Sequence, residues 1–296
     1  MKPATLLGVS PSVVGLPSGS WPTITDFLLE RFPDIPRATW EQRMQQGLVV
    51  DEQGTLVTPE RPYSGPMRVY YYRAIEDEPE LPFEETVLYQ DEHLVVADKP
   101  HFLPVVPAGR YLQQTLLVRL KRRLGIDTLA PIHRIDRETA GLVMFSVQAQ
   151  AGNAYSSLFR DRQIHKEYEA IAPWRADLQL PLLHRSRIEP DTQFFRQREV
   201  PGTPNSETRL ELLEVRGALA RYRLSPVSGR THQLRVHMNA LGIPIVGDLL
   251  YPEVVHGPDH VPDDYSQPLQ LLAKAIEFTD PISGKHRRFE SLQRLD

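Results

Sequence analysis

A short apolar stretch, Leu142-Val143-Met144-Phe145-Ser146-Val147, follows directly on Gly141 and constrains the fold more than any other part of this chain. Its length, its bounding glycine and its apolar repeat predict a buried strand. The residues that lead into it, His133-Arg134-Ile135-Asp136-Arg137-Glu138-Thr139-Ala140, carry one aspartate between two arginines. A carboxylate just upstream of such a strand lies at its mouth, where a rigid scaffold presents chemistry. The flanking guanidiniums favour the ionised form and are expected to depress the pKa of Asp136. Arginine also binds phosphate bidentately. Taken alone, the same aspartate reads as a cap or a solvated loop residue.

At 296 residues the chain has room for one large domain or two, with a substantial core. Its hydrophobic fraction, 41%, is ordinary for a soluble globular protein. No apolar run approaches the roughly 20 residues that span a bilayer. Residues Met1 to Gly8 lack the apolar core of a signal peptide, so a cytoplasmic protein is expected. The absence of cysteine excludes disulfides, zinc-thiolate sites and a cysteine nucleophile.

The net charge is −4, whereas nucleic-acid binders are as a rule basic. The charges are unevenly spread, however. Six acids fall within residues 76–85. Basic groups gather elsewhere: Arg119 with Lys121, Arg122 and Arg123; Arg160 with Arg162 and Lys166; Arg185 with Arg187; Lys285 with Arg287 and Arg288. A one-sided basic face is compatible with a negative total. Each cluster taken singly also reads as a solvated face.

The acidic, proline-containing run 76–85 reads as a linker between a small N-terminal domain, 1–80, and a larger domain, 81–296. In the first, Thr23-Ile24-Thr25-Asp26 and Thr39-Trp40-Glu41-Gln42 are capping-box patterns that predict two helices. Pro33 and Pro36 end the first helix, and Gly47 suits the end of the second. Short strands are predicted at 48–50 and 68–73. In the larger domain, residues 87–100 read as strand, polar turn, strand. Thr115 to Leu124 reads as an amphipathic helix closed by Gly125, with Arg119, Arg122 and Arg123 on its polar face. A further helix is predicted around Ala154 and Leu158. Strands and helices alternate irregularly, with several strands adjacent. An α+β fold is therefore expected, with a mixed, largely antiparallel central sheet and flanking helices. No internal repeat or low-complexity tract is visible.

A second motif, Ser228-Gly229-Arg230-Thr231-His232-Gln233-Leu234-Arg235-Val236-His237, lies well downstream of the first. Together the two resemble the signature segments of the RluA-type pseudouridine synthases. Lys166-Glu167-Tyr168 resembles their lysine-x-tyrosine element. The resemblance runs from residue 87 to the C-terminus. Before it, the helix-helix-strand pattern over 21–75 resembles, more loosely, the RNA-binding domain named after ribosomal small-subunit protein four; a packing or dimerisation module is the alternative. Val106 and Leu272 stand where many family members have histidine, a departure that bears on subgroup rather than activity.

The resemblance implies a mixed sheet crossed by a catalytic cleft, and an enzyme that cuts a uridine's base–sugar bond, turns the base and rejoins it through carbon. It implies structured RNA as partner, either ribosomal, with the large subunit preferred, or transfer RNA. Neither cofactor, metal nor membrane is expected, and the protein is expected to be a monomer. Asp136 is the implied catalytic carboxylate near C1′ of the ribose. Tyr168 is implied to stack on the uracil and to take part in proton removal from C5. Leu234, Met238 and Leu241 are spaced as the buried face of a helix, beside which Arg235 needs a carboxylate partner; the family supplies the catalytic aspartate. Arg134 is carried over as the residue that flips the base out of its stack. His133, Arg137, Thr139 and Gly141 belong to the substrate-binding motif, although His133 also reads as a locally packed residue. Gly229, Arg230 and Thr231 precede the helix, whose free N–H groups together with Arg230 form a candidate phosphate site.

Two other readings use the same residues. A non-catalytic RNA-binding or ribosome-assembly factor would not need Asp136, Tyr168 and Arg235 together. A nucleoside or glycoside hydrolase ordinarily pairs two carboxylates, and no second one stands in a comparable motif.

Overall fold

The computed structural model describes residues 3–73, 78–257, 260 and 265–296. The chain divides into two compact units, Met1–Glu78 and Pro79–Asp296. Glu76 and Asp77, at the head of the acidic run, lie outside the described residues.

In the first unit, β1 (Ser12–Leu16), β2 (Val49–Asp51) and β3 (Met67–Tyr71) form an antiparallel sheet in the order β1-β3-β2. Helix α1 (Ile24–Arg31) starts at the anticipated capping box: the Thr23 hydroxyl accepts the Asp26 N–H and the Asp26 carboxylate accepts the Thr23 N–H, both at 3.1 Å. Helix α2 (Arg37–Gln45) begins before the Thr39 pattern that predicts it, with no side-chain cap. Pro36 stands at its N-cap with φ of −58°, already close to the helical value, so the chain turns earlier than the threonine suggests. Ile24, Leu28, Trp40 and Val69 fill the core between helices and sheet.

The second unit contains β4 (Thr86–Gln90), β5 (Leu94–Lys99), α3 (Leu116–Leu124), β6 (Ala130–Pro131), β7 (Ala140–Ser146), α4 (Ala149–Arg160) and β8 (His165–Pro173). These are followed by β9 (Leu182–Pro190), β10 (Gln197–Val200), β11 (Ser206–Arg216), β12 (Leu219–Pro226), α5 (Gln233–Ala240), β13 (Leu271–Thr279) and β14 (His286–Glu290). One sheet runs β10-β9-β11-β12-β8-β13-β7-β5-β4, with β14 added to β13 and β6 to β7. Its pairings are antiparallel except that of β7 with β13, which makes the sheet mixed and largely antiparallel, as expected.

Strand β7 is buried along its whole length. Gly141 opens it with φ of +109°, and a β-carbon there would meet the Ala273 carbonyl oxygen at 2.3 Å. Only glycine allows β7 to approach β13 so closely. Helix α3 has its N-cap at Thr115 and ends at a left-handed Gly125. Its basic face is only partly solvated: Arg122 and Arg123 are exposed, whereas Arg119 is largely buried. Arg119 donates to the carbonyls of Leu81 and Phe83, and Arg123 to that of Glu85. The Glu85 carboxylate is buried and lies 3.5 Å from Arg119. The end of the acidic run is thus strapped to this helix rather than spaced away from it. Among the described residues no helix is long and apolar enough to cross a membrane.

Candidate active site

The loop ahead of β7, the start of β8, the turn ahead of α5 and residues 104–106 enclose a cleft of about 820 Å³. Asp136 stands in it with its side chain 28% exposed. The loop is held in shape from below. The fully buried Lys99 ammonium donates to the carbonyls of Pro100 and Arg137 at 3.0 and 2.9 Å, and burial pulls its pKa down to about 7. His101 Nδ1 lies 2.7 Å from the Glu138 carbonyl. The Thr139 N–H closes the turn on the Asp136 carbonyl at 3.2 Å.

Arg235 is 2% exposed and lies between two carboxylates. Its Nε and Nη2 bind Asp248 at 2.8 and 2.6 Å, and its Nη1 reaches Asp136 at 3.3 Å. The pairing with Asp136 is therefore real but secondary. Asp248, 1% exposed, is the bidentate partner that keeps the guanidinium in the interior. Burial disfavours the charge on Arg235, but the Asp248 hydrogen bonds and charge, with Asp136, raise its pKa above the ordinary arginine value.

Burial likewise pushes the Asp136 carboxyl up, yet His232 when protonated, Arg235 and Lys99 outweigh it and hold the pKa below the ordinary aspartate value. The arginines beside Asp136 in sequence are not the ones that face it. Arg137 turns away to Glu138 at 2.8 Å and lies over the Tyr111 ring. Arg134 is exposed at the cleft and, among the described residues, forms no hydrogen bond or ion pair. Tyr168 projects from β8 into the same cleft, in a sheet register opposite Leu224 and Ala273. Burial, and secondarily Asp136, raises its phenol pKa.

An ionised carboxylate, a buried arginine and a neutral phenol thus meet in one cleft on a mixed sheet. The profile of the RNA pseudouridylate synthase family matches residues 93–240, which hold all three. This chain belongs to the RluA-type family of RNA pseudouridine synthases. An uncharacterized RNA pseudouridine synthase of Synechocystis sp. is 30% identical over 242 residues, 80% of this chain and 80% of its own. The dual-specificity RNA pseudouridine synthase RluA of Haemophilus influenzae is 32% identical over 230 residues, 73% of this chain and 97% of its own. The solved structure of human RNA pseudouridylate synthase domain containing 1 shares the fold, with a TM-score of 0.58 over 73% of this chain and 86% of that one at 23% identity. The protein is an RNA-modifying isomerase.

The remaining motif residues of this synthase fall into different places. His133 lines the cleft, but its Nε2 accepts the Met144 N–H at 3.1 Å and its ring stacks on Phe159. Burial pulls its pKa down to about 3, so it is a neutral packing residue. Thr139 lines the cleft and is itself buried. Gly141 does not line it; its need for φ of +109° belongs to the crossing of β7 with β13. Gly229, Arg230 and Thr231 form an exposed wall. The Arg230 backbone N–H is capped by Gln233 Oε1 at 3.1 Å. Of the basic clusters, Arg160, Arg162 and Lys166 border the cleft. Arg185 and Arg187 are paired with Glu207 and Glu189, and Arg288 with Glu277 and Glu290.

Sequence reasoning missed Lys99, Asp248, Tyr251 and the placement of His232. Lys99 stood in plain view in Asp98-Lys99-Pro100, where it reads as a strand end. Asp248 follows the apolar run Ile243-Pro244-Ile245-Val246-Gly247, and an acid after such a run reads as a turn.

Proposed function

We propose that this synthase, a cytoplasmic monomer, converts a specific uridine of large-subunit ribosomal RNA to pseudouridine, with Asp136 as the catalytic carboxylate. The observation that carries the assignment is the position of Asp136: partly exposed in the cleft, yet held ionised by Arg235. Breaking the bond between C1′ and N1 leaves positive character on the sugar, which a carboxylate at C1′ stabilises or captures. The freed uracil turns and its C5 forms the new bond to C1′; the C5 proton then leaves and N1 takes one up, so the product is an isomer and needs no co-reactant.

Arg235 is assigned to orienting Asp136, and Tyr168 to stacking on the uracil. The raised pKa of the phenol makes it a poor base at neutral pH, which favours the stacking role over proton removal. Arg134 is assigned to the space the uridine leaves when it is extruded. The N-terminal unit is assigned to RNA binding, and its presence in addition to the catalytic unit favours a large RNA over transfer RNA. The relative named as dual-specificity keeps transfer RNA as the second reading.

The test is pseudouridine mapping of total RNA from cells with the wild-type gene, with none, and with Asp136→Asn. A single large-subunit position that depends on the gene and on Asp136 is expected. Dependent sites confined to transfer RNA would replace the target. Pseudouridine that persists with the asparagine variant would remove Asp136 from the chemistry. Loss of residues 1–78 should weaken binding of the mapped RNA and flatten its salt dependence; unchanged affinity and slope would withdraw the RNA-binding assignment of that unit.

A further inference from the structure

His232 has a left-handed backbone, φ 54° and ψ 17°, at the N-cap of α5. For a residue with a β-carbon this conformation costs about 1 kcal/mol or more, and such strain gathers at working sites. Its side chain makes no cap bond to the helix. The turn instead carries the imidazole to the floor of the cleft, where Nε2 lies 3.9 Å from Asp136 Oδ2.

The opposite nitrogen identifies the tautomer. Nδ1 lies 3.1 Å from the Tyr251 hydroxyl. That hydroxyl also meets both backbone groups of Gln197, accepting from its N–H at 2.8 Å and donating to its carbonyl at 3.0 Å. Strand β10 is the edge of the sheet, so these two groups have no strand beyond them. A carbonyl can only accept, so the single phenolic proton goes to Gln197. The phenol must then accept from His232, which places the imidazole proton on Nδ1 and a lone pair on Nε2. Burial lowers the pKa of His232, and the ring is neutral at neutral pH.

A lone pair on Nε2 and the carboxylate oxygen of Asp136 are two acceptors side by side. They cannot bond each other, and both suit a substrate that brings a donor. On a ribose, the donor nearest C1′ is the hydroxyl on the neighbouring carbon, C2′. Uracil N3–H, the donor on the base, is meta to the glycosidic nitrogen and lies farther from C1′ than the 2′-hydroxyl does. A phosphate brings no donor and would be repelled by Asp136.

We propose that His232 Nε2 accepts the 2′-hydroxyl of the target uridine, setting C1′ against Asp136 and making His232 the residue that distinguishes ribose from deoxyribose at the reacting nucleotide. The proposal rests on the reading of Asp136 as the carboxylate at the sugar.

The test is a two-by-two comparison of single-turnover rates on a stem-loop oligonucleotide carrying the mapped uridine. The substrates have either ribose or 2′-deoxyribose at that position alone. The enzymes are wild type and His232→Asn, since asparagine tolerates the left-handed backbone but is too short to reach. His232→Gln, which restores an acceptor at greater reach, serves as the rescue. On the ribose substrate the asparagine variant should be slower by about ten- to a hundredfold, with affinity and melting temperature little changed. Deoxyribose should slow the wild type at least as much, and the two losses should not multiply. The glutamine variant should recover part of the ribose preference. Equal penalties for deoxyribose in wild type and His232→Asn, or a full rate for His232→Asn on ribose, would overturn the role of His232 while leaving Asp136 in place. No pseudouridine from the wild type on any mapped RNA would instead overturn the reading of the site itself.

Discussion

At the floor of the cleft Arg235 is 2% exposed and is bonded to two carboxylates, whereas at the rim Arg134 and Arg162 are exposed and face solvent. The difference is one of desolvation. A buried guanidinium is tolerable only with its charge matched, so the floor is rigid and its geometry is set before RNA arrives. A rim guanidinium needs no partner in the free protein and is available for phosphate or for a vacated base position. The same residue type therefore reports a structural commitment in one place and a binding capacity in the other.

The sharpest test of the floor is Asp136→Asn, which keeps the size and removes the charge. Turnover should fall by at least about a thousandfold while RNA affinity changes little. Rapid-quench measurement of pseudouridine formation beside a filter-binding titration separates the two effects. Substantial residual turnover would mean that the floor binds substrate but does not react with it.

Arg235→Ala should cost about 3–5 kcal/mol of stability, because it leaves the buried Asp248 carboxylate unpaired. Adding Asp248→Asn to that variant should restore part of the loss, a coupling that denaturant melts of the four proteins would measure. An unchanged melting temperature for Arg235→Ala would erase the distinction between floor and rim.

The interior beneath α5 should also respond to acid. His237 is fully buried, and desolvation, with His184 secondarily, pulls its pKa from 6.5 down to about 3. The unfolded chain then binds a proton that the folded chain refuses. Its contribution to stability is complete above pH 6.5 and is lost as pH falls from there toward about 3, at about 1.4 kcal/mol per pH unit. Urea midpoints at pH 7.5 and 5 should differ accordingly, and His237→Gln should shrink the difference. A pH-independent midpoint would show that this histidine takes up its proton in the folded state.

Arg134→Ala should leave stability unchanged and slow turnover about tenfold on a structured RNA, with a smaller loss on an unstacked oligonucleotide. Equal losses on both substrates would make Arg134 a general RNA contact and not a base-flipping residue.

How much of this could be read in advance follows from the range of each interaction. Helices α1 and α3 and strand β7 were legible because caps, glycine stops and apolar periodicity are encoded within a few residues. Strands β9 to β12 were not, since their alternation is filled with charges that look like solvated or RNA-facing groups. In the sheet many of those charges pair across strands: Arg221 with Glu169, and Arg223 with Glu167 and Glu211. Pairing of that kind depends on register, which no local pattern specifies.

The sequence by itself determined the family, the mixed α+β architecture and the candidate carboxylate, because motif residues must be present in the chain before they can be brought together. Only the tertiary structure decided which groups face Asp136. The neighbours Arg134 and Arg137 turn outward and aside, while Lys99 arrives from the end of β5 and His232 and Arg235 from the start of α5, and Asp248 anchors the last. In a loop, adjacent side chains diverge, and the field at a carboxylate depends on distance and burial rather than on sequence separation.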